Sequence, residues 1–322
     1  MRKGCCVAVA TGVAFAACAG VPAHAAGSLT RTFVSSAGVD SNPCTIAAPC
    51  ASFAAAYNAV QVDGVIAALD PGRYGPLTIS YPVTVNGNGW AAITATAQGN
   101  GITVNAGSGN VVLTGLEIDG AGAAYNGIVF NSGGSLTIRN CLVKDFIVNN
   151  GNPNGTSGNG ILIAPTTGTI DFTVVDTIAV NNGNAGVQYS AASGAPTATG
   201  AIDHIVATNN TGSGIAFAVS GGSAAVSISN SVASNNGSSG IVTNSNSGII
   251  TVTADNDEIS NNGTGLSVAS GTVLLSRSVI TENSTYGVSN SGTVETFQDN
   301  RIYLNGNNNA VFGNPLTPAA PQ

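Results

Sequence analysis

Apolar and polar residues alternate over short runs along most of this chain, and the runs return at a regular interval. In Ala224–Val242 (AAVSISNSVASNNGSSGIV), Val226 and Ile228 alternate with serines; Asn230, Val232, Asn235-Asn236-Gly237 and Gly240-Ile241 follow. A period of two places one set of side chains on the buried face of a strand. A Gly followed by Ile, Val or Leu opens such a run at Gly101, Gly127, Gly160, Gly186, Gly214, Gly240, Gly265 and Gly287. The intervals are 26, 33, 26, 28, 26, 25 and 22 residues, and an Asn-Asn pair precedes most of the runs, at Asn149, Asn181, Asn209, Asn235 and Asn261. A unit near 25 residues is the mark of a solenoid, in which neighbouring units bury each other's apolar faces. Each unit holds three short β runs and no 3.6-residue periodicity, which predicts an all-β, three-sheet coil.

Upstream of the repeat the pattern changes. Thr32-Phe33-Val34 reads as a first strand. Ala51–Val60 reads as a helix with Phe53, Tyr57 and Val60 on one face. Val65–Leu69 is a short apolar strand, Asp70-Pro71-Gly72 a turn, and Leu77-Thr78-Ile79 and Val83-Thr84-Val85 two further strands. The expected organisation is a signal peptide over 1–25, a cap segment over 26–76, the coil over 77–313 and a Pro-rich tail over 314–322.

Composition supports a folded, exported chain. Charged residues are only 7% and Gly is 43 of 322, yet the hydrophobic fraction is 43% and regularly spaced, so a core is available. Arg2 and Lys3, the apolar run Val7–Ala19 and Ala23-His24-Ala25 have the form of a secretory signal peptide. Cleavage before Cys18, as in a lipoprotein, is the alternative, to which Phe15 is a poor fit. The protein is therefore expected to be secreted or periplasmic. Cys44 and Cys50 flank a short Pro-containing loop, which in an exported protein suggests a local disulfide, against the alternative of two buried thiols. Cys141 lies in an alternating run and is expected to face the core. The net charge of −7 without a basic patch argues against nucleic-acid partners.

The repeat resembles the right-handed parallel β-helix of the pectate-lyase-like superfamily, over roughly Leu77 to Phe312. The helix from Phe53 and the run Leu69-Asp70-Pro71-Gly72-Arg73-Tyr74-Gly75 resemble the cap that precedes such coils. The resemblance implies about nine to ten coils, three parallel sheets and an N-terminal capping helix. It also implies a turn column at Asn140, Asp176, His204, Asn230, Asn256, Arg277 and Asn300, where Asn tolerates unusual backbone angles and can bond neighbouring coils. The fold is shared by many unrelated activities, so function has to be argued from the site.

Enzymes of this fold usually work on or beside the first sheet. Its outward residues here are expected to be Thr103, Val129, Leu162, Gln188, Ala216, Val242, Ser267 and Ser289. A second outward row is Asn105, Asn131, Ala164, Ser190, Ala218, Asn244, Ala269 and Ser291. None can ionise, and general acid–base chemistry needs titratable groups. The residue sets of polygalacturonases and pectate lyases are missing, as are Gly-Gly-x-Gly-x-Asp calcium repeats; no metal or cofactor is expected. On the second sheet, Asp203 and Asp255 fall two coils apart, about 9.6 Å, with Ser229 between. They could serve as the acid and base of an inverting glycosidase, with Asp257 or Glu258 as a cation ligand. The alternative is a solvated face balanced by Arg277, with His204 a turn residue. Glu117, Asp119, Arg139, Lys144 and Asp145 form a second charged cluster, in which Asp119 and Lys144 suggest a cross-coil ion pair. The 33-residue unit carries an insertion, Asn149–Asn159, whose Asn149, Asn150, Asn152, Asn154 and Asn159 could contact a glycan as the lip of a groove.

Three functional readings follow. The leading one is an exported, non-catalytic β-helix that binds polysaccharide or another envelope component. The second is a polysaccharide lyase or glycoside hydrolase using Asp203 and Asp255. The third is a structural envelope protein that self-associates as a homo-oligomer through an apolar stripe of Val129, Leu162, Ala216 and Val242.

Overall fold

The computed structural model describes residues 26–148, 157–191, 194, 196–309 and 311–319. The chain winds as a parallel β-solenoid of about nine turns with three sheets. The first sheet has ten parallel strands, from Leu77–Ile79 to Val311–Gly313. Its register stacks Ile102, Ile128, Ile161, Val187, Ile215, Ile241, Leu266 and Val288 in one column. All eight are buried, so the Gly-Ile repeat is the inward face of this sheet.

The second and third sheets alternate along the chain. Thr169–Val175, Thr197–Asp203, Ser223–Ser229 and Ile249–Asp255 belong to the second, and Ile178–Val180, Val206–Thr208, Val232–Ser234 and Glu258–Ser260 to the third. Between them one residue per coil takes a left-handed backbone: Asn140, Asp176, His204, Asn230, Asn256 and Arg277, with φ between 49° and 59°. These are the expected turn column. Its next member is Gln298 (φ 66°) rather than Asn300. The Asn300 side chain instead accepts from the Ser278 amide at 2.8 Å, a position facing inward across the coils. Near the N-terminal end, Val83–Thr94 and Asn110–Asp119 run through the turn and fuse the two sheets into a 20-stranded array.

The Asn-Asn pairs have a distinct role that periodicity alone does not disclose. The first member takes the left-handed turn (Asn181, Asn209, Asn235 and Asn261, φ 55–57°). The second is buried and, with Asn283 and Asn305 in the same place after Glu282 and Leu304, forms a continuous ladder along the axis: Asn182 donates to Asn210, Asn210 to Asn236, Asn236 to Asn262, Asn262 to Asn283 and Asn283 to Asn305. Each Oδ1 accepts a second bond from a backbone amide of the preceding coil, as Asn236 does from Asn210 at 3.1 Å. Each Nδ2 also donates to a carbonyl, as Asn236 does to Ala207 at 3.0 Å. Buried amides are tolerated when both ends are satisfied in this way. The repeat glycine is explained by the same ladder. A Cβ on Gly240 would lie 2.4 Å from Ile259 Cγ2, 2.8 Å from Asn262 Nδ2 and 2.9 Å from the Gly265 carbonyl oxygen, so only glycine leaves room.

The N-terminal end is closed by helix α1, Phe53–Ala59, shorter than the predicted span because Val60 is already extended. Ser52 caps it by accepting from the Ala55 amide. Phe53, Ala56 and Tyr57 are buried; Phe53 packs against Tyr74 at 5.3 Å and Tyr57 stacks on Tyr81 at 4.2 Å between ring centroids. Cys44 and Cys50 form a disulfide beside the first strand, Leu29–Val34, and the Phe33 and Ser35 amides bond the carbonyls of Cys44 and Cys50. Cys141 is free and buried, and burial pushes its thiol up to about 11. The predicted tail contributes a two-residue strand, Thr317–Pro318, paired with Glu295 and Thr296.

Candidate functional site

The outward face of the first sheet has the register expected from sequence. Thr103, Val129, Leu162, Gln188, Ala216, Val242, Ser267 and Ser289 stand in one column. At its N-terminal third this face is hollowed into a cleft of about 500 Å³. Thr103, Val129 and Leu162 make the floor, and Val129 and Leu162 are each only 6% exposed although they point away from the core. On one side Asn105 and Asn131 are linked at 3.0 Å, with Ala164 beyond them. On the other, Asn100 donates to Thr103 at 3.3 Å and accepts from Asn126 at 3.4 Å. The result is an apolar floor between two rows of amides, and among the described residues no ionisable side chain lines it.

Asn100 and Asn126 were not singled out in the sequence. The available signal was an Asn directly before the repeat glycine at Asn100, Asn126 and Asn159, a position that carries other residues in later coils. Asn159 extends this wall from below. It is fully buried, donates to Asn126 at 3.1 Å and accepts from Asn184 at 3.0 Å. Its amide is therefore committed within the protein rather than presented as a glycan ligand. Asn149, Asn150, Asn152 and Asn154, the other expected ligands of the insertion, lie outside the described residues.

The acidic constellation is brought together, but not in a form suited to acid–base catalysis. Asp203, Ser229 and Asp255 share a column on consecutive coils. Asp203 accepts from Ser229 at 2.7 Å and from Asn230 at 2.8 Å, and lies 2.8 Å from His204 Nδ1. The Asn230 and Ser229 bonds lead in holding its carboxyl down at about 2. Asp255 is bracketed by the Arg277 Nε and Nη2, and that pairing lowers its pKa. Both are ionised at neutral pH, whereas an inverting pair needs one protonated acid. Asp257 has the opposite character. It is 3% exposed, accepts from the Ser231 amide at 2.9 Å, and its Oδ2 has no hydrogen-bond partner. Burial, with the charges of Asp255 and Asp203, pushes it up to about 7. It occupies the inward turn position that Thr177, Ser231 and Ser278 fill on other coils, each offering an oxygen to a neighbouring backbone amide. Buried there, it is not open to a cation or substrate. Among the described residues, no group of three or more His, Cys, Asp and Glu is placed to hold a metal ion.

The second charged cluster is an ion triplet. Lys144 lies 3.0 Å from Glu117 and 3.5 Å from Asp119. The apolar stripe proposed on the first sheet is interrupted by the sinking of Val129 and Leu162 into the cleft. A more exposed apolar column stands on the third sheet, where Leu142, Ile178, Val206 and Val232 share one outward register and Ile178 is 42% exposed.

A solved structure shares this winding. Pectate lyase Pel9A aligns with a TM-score of 0.52 and 18% identity, covering 83% of this chain and 67% of the lyase. The fold is a parallel β-helix, shared with that lyase. Weaker likenesses are the A-module of the Azotobacter vinelandii mannuronan C-5 epimerase AlgE4 (TM-score 0.48, 15% identity, 80% of this chain and 91% of that one) and the Dettilon tailspike protein (0.47, 12%, 76% and 61%). No protein-family model and no curated protein matches the chain.

Proposed function

We propose that this β-helix protein is exported and binds polysaccharide in the first-sheet cleft without transforming it. The observation that carries this reading is the cleft itself, a largely apolar floor flanked by amides, with no titratable group among the described residues that line it. Such a surface suits the mixed character of a sugar ring, with apolar C–H faces and a girdle of hydroxyls that amides can both donate to and accept from. It offers nothing that can move a proton at neutral pH. The shared fold with a pectate lyase supports a carbohydrate ligand. The Cys44–Cys50 disulfide supports an oxidising compartment, outside the cytosol, as does the signal-peptide pattern of residues 1–25.

A polysaccharide panel scored for both binding and product release tests the proposal. Retention of at least one glycan, with no new reducing ends or unsaturated products, is the expected result. Asn105→Ala with Asn131→Ala should weaken that binding about tenfold, the loss of two good hydrogen bonds. Product accumulation, or binding indifferent to the double substitution, would refute the cleft assignment. A second reading, self-association, is favoured by the third-sheet column around Ile178. A concentration-dependent mass in sedimentation that Ile178→Asp abolishes would support it.

A further inference from the structure

The two walls of the first-sheet cleft are amide ladders that run in the same direction, and one of them is cut short. On the longer wall each side-chain oxygen accepts from the amide nitrogen of the coil that follows. Asn126 donates to Asn100 at 3.4 Å, Asn159 to Asn126 at 3.1 Å and Asn184 to Asn159 at 3.0 Å. The opposite wall begins in the same way, with Asn131 donating to Asn105 at 3.0 Å. It stops there, because the next coil supplies Ala164. The Ala164 amide bonds the Phe130 carbonyl at 2.8 Å, which sets Ala164 alongside Asn131, and both residues line the cleft. Asn131 Oδ1 has no donor among the described residues.

The gap defines the chemistry that fits it. An amide oxygen accepts and cannot donate, so a ligand must bring an N–H or an O–H. The missing donor belongs one coil along the axis, about 4.8 Å away, over the methyl group of Ala164. Leu162 lies two residues earlier on the same face and, although it points outward, is buried; it extends the apolar surface beneath that position. The ligand group therefore carries its donor next to an apolar atom. Among the described lining residues nothing can pair a charge, so the group is neutral. A hydroxyl supplies the donor but leaves Leu162 and Ala164 facing polar atoms. An acetamido group supplies both parts, and it reproduces the asparagine side chain that the third coil lacks.

We propose that the cleft selects a neutral glycan built from N-acetylhexosamine units, whose acetamido group completes the broken ladder. This rests on the reading of the cleft as a polysaccharide site. The acetamido N–H donates to Asn131 Oδ1, its methyl group covers Ala164 and Leu162, and the adjoining sugar ring lies over Val129.

Chito- and cello-oligosaccharides of equal length test this, since they share one backbone and differ only in an acetamido group where the other carries a hydroxyl. Calorimetry should show the chito-oligomer binding about tenfold tighter, the worth of one hydrogen bond and one buried methyl group. Saturation-transfer NMR should place the strongest ligand contact at the acetyl methyl. Ala164→Asn gives the third coil an amide of its own, and should lower chito-oligomer affinity about tenfold and erase the preference. Equal affinity for the two oligomers, with Asn105→Ala and Asn131→Ala weakening both, overturns the acetamido assignment and leaves the cleft a glycan site. A preference that survives Ala164→Asn also overturns it, as does an N-acetylated peptide bound as tightly as the chito-oligomer. Retention of no glycan at all removes the cleft reading and this inference together.

Discussion

Replacing Asp257 by asparagine should stabilise the protein at alkaline pH and leave it nearly unchanged in acid. The carboxyl is buried, its Oδ1 holds the Ser231 amide, and its Oδ2 is unpartnered. Asp203 and Asp255 add negative charge to its surroundings, and Arg277 is already bonded to Asp255. Its pKa rises from 3.8 unfolded to about 7 folded. Between those values the folded state holds the proton more tightly than the unfolded one. Stability on this account is intact below pH 3.8, is lost progressively as pH rises to about 7, and stays lost above it. A shift of roughly three units at 1.36 kcal/mol each sets an upper limit of about 4 kcal/mol. Asparagine keeps the Oδ1 acceptor and carries no charge, as Asn300 shows when it accepts from the Ser278 amide. The assay is denaturant unfolding of both proteins across acid and alkaline pH, with exchange of the Ser231 amide as a local probe, since solenoids need not unfold in one step. Lowered carboxylates such as Asp203 contribute the opposite slope, but they do so in both proteins, so the difference isolates Asp257. A difference that is the same at both ends of the pH range, or a wild-type protein that is the more stable in alkali, would show the reasoning to be wrong.

The two members of an Asn-Asn pair should respond oppositely to substitution. Asn236→Ala strands the Asn210 amide, the Asn210 side chain and the Ala207 carbonyl, and should cost about 3–5 kcal/mol by chemical denaturation. Asn235→Gly, at φ 55°, should fall within about 0.5 kcal/mol of wild type because glycine accepts that conformation. Gly240→Ala should destabilise by about 1–3 kcal/mol, since the new methyl group meets the Asn262 amide and the Gly265 carbonyl; a neutral result in the same assay would mean that the coils are free to separate. Cys44→Ser with Cys50→Ser should lower stability by about 2 kcal/mol, the chain-entropy value for so short a loop, seen as early proteolysis near Phe33 with the central coils intact.

The sequence disclosed the first sheet almost completely, because its alternation of Gly-Ile with small polar residues leaves one face to bury. The same alternation located Thr103, Val129, Leu162, Asn105 and Asn131 on the face that forms the cleft. It could not show that Val129 and Leu162 sink to 6% exposure, since the depth of a cleft depends on its walls. Nor could it separate a turn asparagine from a buried one. Asn235 and Asn236 are chemically identical and adjacent, and only the backbone angle at the first aims the second inward. Asp257 was misplaced for a related reason. Beside Asp255 it reads as part of an acidic surface, yet one residue along a turn reverses the direction of a side chain, and its true equivalents are Ser231 and Ser278.

The buried asparagines also act as a ruler. Successive members are separated by 28, 26, 26, 21 and 22 residues, yet their amide contacts all fall between 2.9 and 3.1 Å. The inner side chains therefore keep the same axial spacing as the strand ladder, while the circumference of each coil is free to vary. Lengthening or shortening a surface loop changes the outline of the molecule without changing its pitch. New surface can thus be added on one coil without disturbing the alignment of the coils above and below it.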